Sequence, residues 1–202
     1  RDGAAVVDAG GGEAVEVPCE VCVLATGFNL QTNFPMGDMR VAVDGVEYTA
    51  REHFVYKSCM LSEVPNLFFC MGYVNNSWTI KAELVGAYVC EVIAHMDARG
   101  AHALVARPGG AVDGAELGCV LPLASGYVDR DRHTLPKVLP PASGSPWVAP
   151  HDFKLDTRLL SRPGDRDDGR FVRFSGGTGA AAGGGKQPAR ACCGAPEREA
   201  GA

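Results

Sequence analysis

The sequence predicts an α/β protein of short apolar strands and one long helix. Three observations carry that expectation. Residues 21–25 and 67–71 are compact apolar runs, each followed within two residues by glycine, the pattern of buried strands ending in turns. Residues 78–99 place Leu84, Val85, Tyr88, Val89, Val92, Ile93 and Met96 at helical spacing. Between these elements Pro, Gly, Asn and Asp cluster as punctuation.

In chain order, residues 4–7 and 14–17 are two apolar runs flanking Gly10, Gly11 and Gly12, which predicts a hairpin. Residues 28–53 look irregular, with Pro35, Gly37 and Asp38 breaking any regular element. Residues 40–48 surround Asp44-Gly45, a pair suited to a tight turn with positive φ, so a second hairpin is expected. Residues 54–60 form a further strand candidate, and 63–66 a turn before the apolar run at 67–71. Asn75, Asn76 and Ser77 are good helix-capping types ahead of the helix at 78–99. Lys81, Glu83 and Glu91 are expected on its polar side, and Gly100 as its stop.

Beyond residue 100 the periodicity weakens. Residues 120–122, 125–128 and 146–147 stand as isolated apolar anchors among Pro and Gly, which suggests an extended peripheral segment. A short helix at 153–160 and a last strand at 171–174 follow. Residues 175–202 are Gly/Ala-rich without an apolar period, and are expected to be disordered because they cannot bury enough surface to offset the ordering entropy.

The 202 residues suffice for one domain with a sizeable core. A net charge of -5 gives no reason to expect nucleic acid or an anionic membrane as a partner. No apolar run approaches the ~20 residues of a transmembrane span. Eight cysteines are scattered, mostly in apolar runs, which fits buried thiols in a reducing, cytoplasmic compartment. Cys19 and Cys22 have C-x-x-C spacing, but on a strand residues three apart point to opposite faces, so no redox pair or metal site is expected. The chain begins at Arg1 with no signal-peptide pattern, and is expected to start within a longer protein or to have been trimmed.

Chemistry is sparse. His53, His95, His102, His133 and His151 pair with no visible nucleophile and are expected at the surface or in structural roles. Neither G-x-x-x-x-G-K-S/T nor a G-x-G-x-x-G between strand and helix occurs, so no phosphate cradle is present. Two places have a physical rationale for binding. Small residues Ala25, Thr26 and Gly27 after an apolar run allow a cofactor or a backbone to approach closely, although an ordinary strand-to-loop turn has the same look. Gly72 to Ser77, between an apolar run and a long helix, would present free N–H groups and a partial positive charge to an anionic or carbonyl ligand, although most such turns bind nothing.

Cys22-Val-Leu-Ala-Thr-Gly-Phe-Asn29 resembles the "ATG" strand of two-dinucleotide flavoproteins. Phe54-Val-Tyr-Lys57, Val64-Pro-Asn-Leu-Phe68 and Gly72-Tyr-Val-Asn-Asn-Ser-Trp-Thr-Ile-Lys-Ala-Glu-Leu84 follow in the order of class B flavin monooxygenases, which include the Baeyer–Villiger enzymes and the N/S-oxidising flavin-containing monooxygenases. Gly126-Tyr-Val-Asp-Arg130, Leu135-Pro-Lys137, Pro146-Trp147 and Phe153-Lys-Leu-Asp156 are similar to the ethionamide-activating Baeyer–Villiger subgroup. The resemblance implies the C-terminal portion of an FAD- and NADPH-dependent enzyme that oxygenates a ketone, amine or sulfide with O2 through a C4a-(hydro)peroxyflavin. It implies an incomplete Rossmann-like FAD domain. Residues 1–27 would end the NADPH domain and carry the linking strand, 28–100 would belong to the FAD domain, and 101–174 to a family-specific extension. Ala25, Thr26, Gly27, Gly72, Asn75, Asn76 and Ser77 would then contact cofactor, while Phe28, Tyr73 and Trp78 would line the substrate pocket, with Trp78 alternatively packed in the core. Both dinucleotide phosphate loops are missing, so the chain is expected to be inactive by itself. A non-catalytic remnant of the same fold is the other reading. Phe28 stands where the family often has Tyr.

Overall fold

The computed structural model describes residues 3–8, 14–25, 30, 34–37, 39–160 and 171–176. The first hairpin forms as expected: strands β1 (Gly3–Asp8) and β2 (Ala14–Cys19) pair antiparallel, Gly3 opposite Cys19 and Asp8 opposite Ala14. The second does too. Strands β3 (Ala42–Val43) and β4 (Val46–Glu47) are joined by Asp44 and Gly45 at φ 52° and 82°, the doubly positive geometry of a tight primed turn.

Residues 54–60 are not one strand. Lys57 and Ser58 both take positive φ, 48° and 57°, and fold the chain back. The result is a short hairpin of β5 (Val55–Tyr56) and β6 (Met60–Leu61). Side chains on a strand alternate faces. Tyr56 and Met60 therefore enter one core, with Val85, Tyr88, Val92, Trp147 and Phe171. Val55 and Leu61 enter a second, with Met71, Val120, Val128 and Val138. This hairpin is the wall between the two cores.

The two apolar runs read as buried strands behave otherwise. Residues 67–71 make a single bridge, Phe68 opposite Met60, and only Met71 of the run is buried. Residues 21–25 form no strand among the described residues, and Val23 and Leu24 are 82% and 83% exposed. An apolar run becomes a buried strand only where neighbouring backbone pairs with it, and no described strand pairs with this one.

Helix α1 (Trp78–Arg99) has the expected bounds. Its buried stripe is Lys81, Val85, Tyr88 and Val92. Lys81 thus lies in the interior and not on the polar side, while Ile93 of the expected stripe is exposed. Gly100 closes the helix at φ 64°, its N–H bonding to Asp97 O and that of Ala101 to Met96 O, the paired geometry of a Schellman stop.

The distal segment is not peripheral. Trp147, Val120, Val128 and Val138 are among the most buried side chains of the molecule. Backbone bonds stitch it to the β5–β6 hairpin: Val55 N to Lys137 O, Lys57 N to Pro146 O, and Ser58 N to Val148 O. These bonds satisfy the polar groups of buried irregular backbone, so anchors that look isolated in sequence can still build a core. The segment also contains strand β7 (Ala103–Ala106), which the sequence reading missed, and helices α2 (Gly126–Asp131) and α3 (Phe153–Leu160). Strand β8 (Val172–Ser175) pairs antiparallel with β7, so Ser175, assigned to the tail by sequence, belongs to the fold. The remainder of the expected disordered tail, 177–202, lies outside the described residues.

The architecture is a mixture of helices and small sheets. All four sheets among the described residues are two-stranded and antiparallel. No helix among them is long and apolar enough to cross a membrane.

Candidate functional site

The turn into α1 holds most of the candidate site residues that the resemblance implies. Met71, Gly72 and Tyr73 are buried, and the chain then emerges so that Asn75, Asn76, Ser77, Trp78 and Thr79 are exposed. Ser77 occupies the N-cap position with extended backbone, but its side chain makes no capping bond. Its hydroxyl pairs with Thr79 Oγ1 at 2.8 Å, and its own N–H donates to Asn76 Oδ1 at 2.8 Å. The expected side-chain cap is therefore missing, because the local polar groups bond one another. The Ser77 side chain accepts none of the amides at the start of the helix, whose first residues, Trp78 and Thr79, are exposed at its partial positive end.

Trp78 is 65% exposed, so it is not a core residue. Its indole nonetheless lies flat on the buried turn: a Cβ added at Gly72 would come within 2.1 Å of Trp78 Cγ and Cδ2. Gly72 thus makes room for the indole rather than for open space beside a cofactor.

Behind the turn lies a buried polar group that the sequence reading did not single out as a site. Lys81 Nζ is 2.5 Å from Asp156 Oδ1, with the side chains 3% and 0% exposed. Ser58 Oγ donates to the same oxygen at 3.2 Å and also reaches Val148 O. The Lys81 ammonium stands 5.3 Å from the centre of the Tyr73 ring, and Lys57 stands 5.2 Å from that of Tyr88. Burial, reinforced by the negative charge of Asp156, pushes the Tyr73 phenol well above its ordinary pKa. Cys59, fully buried nearby, is pushed up to about 12 by burial against the opposing pull of Lys81 and Lys57. One signal for this cluster was available. Lys81 is in register with Val85, Tyr88 and Val92, so a charge occupies an apolar stripe. The motifs ending at Lys57, spanning Tyr73 to Lys81, and ending at Asp156 converge here from three parts of the chain.

The remaining candidates divide. Ala25 is exposed outside any strand, and Thr26, Gly27 and Phe28 lie outside the described residues, as does Asn29. Of the histidines, buried His151 bonds Val120 O at 2.8 Å, a structural role, and His53 stacks on Tyr48. Cys19 and Cys22 are free thiols. No group of three metal-ligating side chains occurs among the described residues. The open helix start fits the carbonyl-bearing edge of a flat ring, with the Trp78 indole as a neighbouring wall. It offers no glycine loop for a pyrophosphate.

Known proteins similar to this chain include several monooxygenases. The putative FAD-containing monooxygenase MymA of Mycobacterium tuberculosis is 38% identical over 146 residues, 72% of this chain and 28% of the relative. The FAD-containing monooxygenase EthA of the same organism is 35% identical over 160 residues, 78% of this chain and 31% of the relative. This chain is a relative of the FAD-containing monooxygenases. The probable FAD-binding monooxygenase AlmA of Acinetobacter baylyi extends the likeness, at 28% over 141 residues, 70% of this chain and 27% of the relative. The resemblance to class B flavin monooxygenases of the EthA type agrees with these relatives. The chain spans about three-tenths of their length. No protein-family model matches the chain, and no solved structure matches it.

Proposed function

We propose that this chain is the C-terminal portion of an FAD- and NADPH-dependent monooxygenase that uses O2 to oxygenate a ketone, amine or sulfide in the cytoplasm. The observation that carries the reading is the open start of α1 in a chain related to FAD-containing monooxygenases. In this reading the turn from Asn75 to Trp78 meets the pyrimidine edge of the flavin ring. The bound flavin would supply electron transfer and oxygen activation. The chain's own residues orient and shield. The amides of the first helical turn donate to the carbonyl edge, and the helix end favours negative charge there. Asn76 holds the Ser77 amide and so fixes the path of the chain into the helix. Trp78 presents a flat apolar wall that keeps water from the ring. Ala25, Thr26, Gly27 and Phe28 complete the contact in this reading, with Tyr73 behind the turn.

The test uses the full-length protein that contains this chain. Asn76→Ala and Trp78→Ala are expected to keep the fold and the flavin, and to raise hydrogen peroxide released per NADPH consumed. If both variants retain normal coupling with normal flavin content, the turn is only the beginning of a helix.

A further inference from the structure

We propose that Asp156 is a positioning residue: from α3 it sets the conformation of the Gly72–Trp78 turn through Lys81 and Tyr73. The first turn of α1 contains no acidic residue, yet Lys81 is buried there. A cation at a helix N-terminus is opposed by the helix dipole, and a buried cation is opposed by lost hydration. Asp156 answers both, because its carboxylate reaches Lys81 Nζ at 2.5 Å while Ser58 holds the same oxygen at 3.2 Å. Lys81 is in turn held against the face of Tyr73, 5.3 Å from its ring centre. Tyr73 directly follows Gly72, and Gly72 is the floor on which the Trp78 indole rests. Three elements therefore fix the turn: α3 through the carboxylate, the β5–β6 hairpin through Ser58, and α1 through Lys81.

Two buried atoms sharpen the assignment. The Tyr73 hydroxyl and Asp156 Oδ2 make no well-formed hydrogen bond, although both side chains are at least 98% buried and the Asp156 carboxylate bears directly on the phenol. An apolar pair of side chains would fill this space without that penalty. What the polar pair adds is direction: a carboxylate accepts Lys81 in few geometries, whereas packed hydrocarbons slide. The distal segment thereby acts on the turn that, in the reading above, meets the flavin, and the functional meaning of the inference rests on that reading.

In the full-length protein that contains this chain, biosynthetic 5-fluorotryptophan labels Trp78 on the turn and Trp147 in the core, each signal being assigned by its loss in Trp78→Phe or Trp147→Phe. That protein is compared with Asp156→Asn and with the charge-free pair Lys81→Met/Asp156→Leu. In both variants the Trp78 signal is expected to move by more than its linewidth while the Trp147 signal stays in place. The charge-free pair is expected to recover the thermal stability that Asp156→Asn loses, yet to leave Trp78 displaced. A Trp78 signal unmoved in the charge-free pair overturns the proposal. So does joint movement or loss of both signals, which would make the pair a support of the whole core. No flavin is needed, so failure here is separate from failure of the peroxide assay.

Discussion

The two ends of α1 are held by different means. The C-terminal end is closed by backbone alone: Gly100 in the left-handed region returns its N–H and that of Ala101 to the last turn. The N-terminal end has no side-chain cap and is held by packing, the indole of Trp78 on Gly72 and the ammonium of Lys81 on Asp156. A backbone stop is local and complete. An end fixed through side chains from other segments leaves its amides open, which is the condition for a helix terminus to serve a ligand.

Three substitutions sharpen this contrast. Gly72→Ala should cost most, about 1–3 kcal/mol, because the added methyl drives the indole off the turn and the chain must shift. Denaturant unfolding measures the loss, and tryptophan fluorescence should report Trp78 in a more aqueous setting. A change below a few tenths of a kcal/mol would mean that the N-terminal end is not held by this contact. Gly100→Ala should cost roughly 1–2 kcal/mol, the penalty of a side chain in the left-handed region. Its effect should fall on the last helical turn, seen as faster amide exchange there, with the Trp78 environment unchanged. Ser77→Ala should cost only a few tenths of a kcal/mol, against about 1 kcal/mol for a serine that caps. A full capping loss at Ser77 would break the contrast, since it would mean that the hydroxyl serves the helix amides in solution.

The same distinction explains what was legible in the sequence. The β3–β4 turn was readable because Asp44-Gly45 encodes its own positive φ angles, and the end of α1 because Gly100 does. The hairpin at 55–61 was not, because its positive φ angles fall on Lys57 and Ser58, types that rarely adopt them and are held here by backbone bonds to Pro146 and Val148. Trp147 looked isolated for the same reason: its ring partners Phe54, Tyr56 and Phe171 come from distant parts of the chain. At the candidate site, the exposed turn from Asn75 to Trp78 was readable from residue type and position. The Lys81–Asp156 pair behind it was not, since composition alone puts a lysine on a helix's wet face. A charge in register with Val85, Tyr88 and Val92 was the clue.

The run at 21–25 has a practical consequence. Valine and leucine side chains stand in water there, and no described strand covers them. In colloidal terms such a stretch is adhesive: it can recruit any passing extended backbone, including that of a second copy, through the same ladder bonds that build a sheet. Concentration and ionic strength therefore become structural variables for this chain in a test tube, and a binding partner or a solubilising neighbour is best placed where it screens Val23 and Leu24.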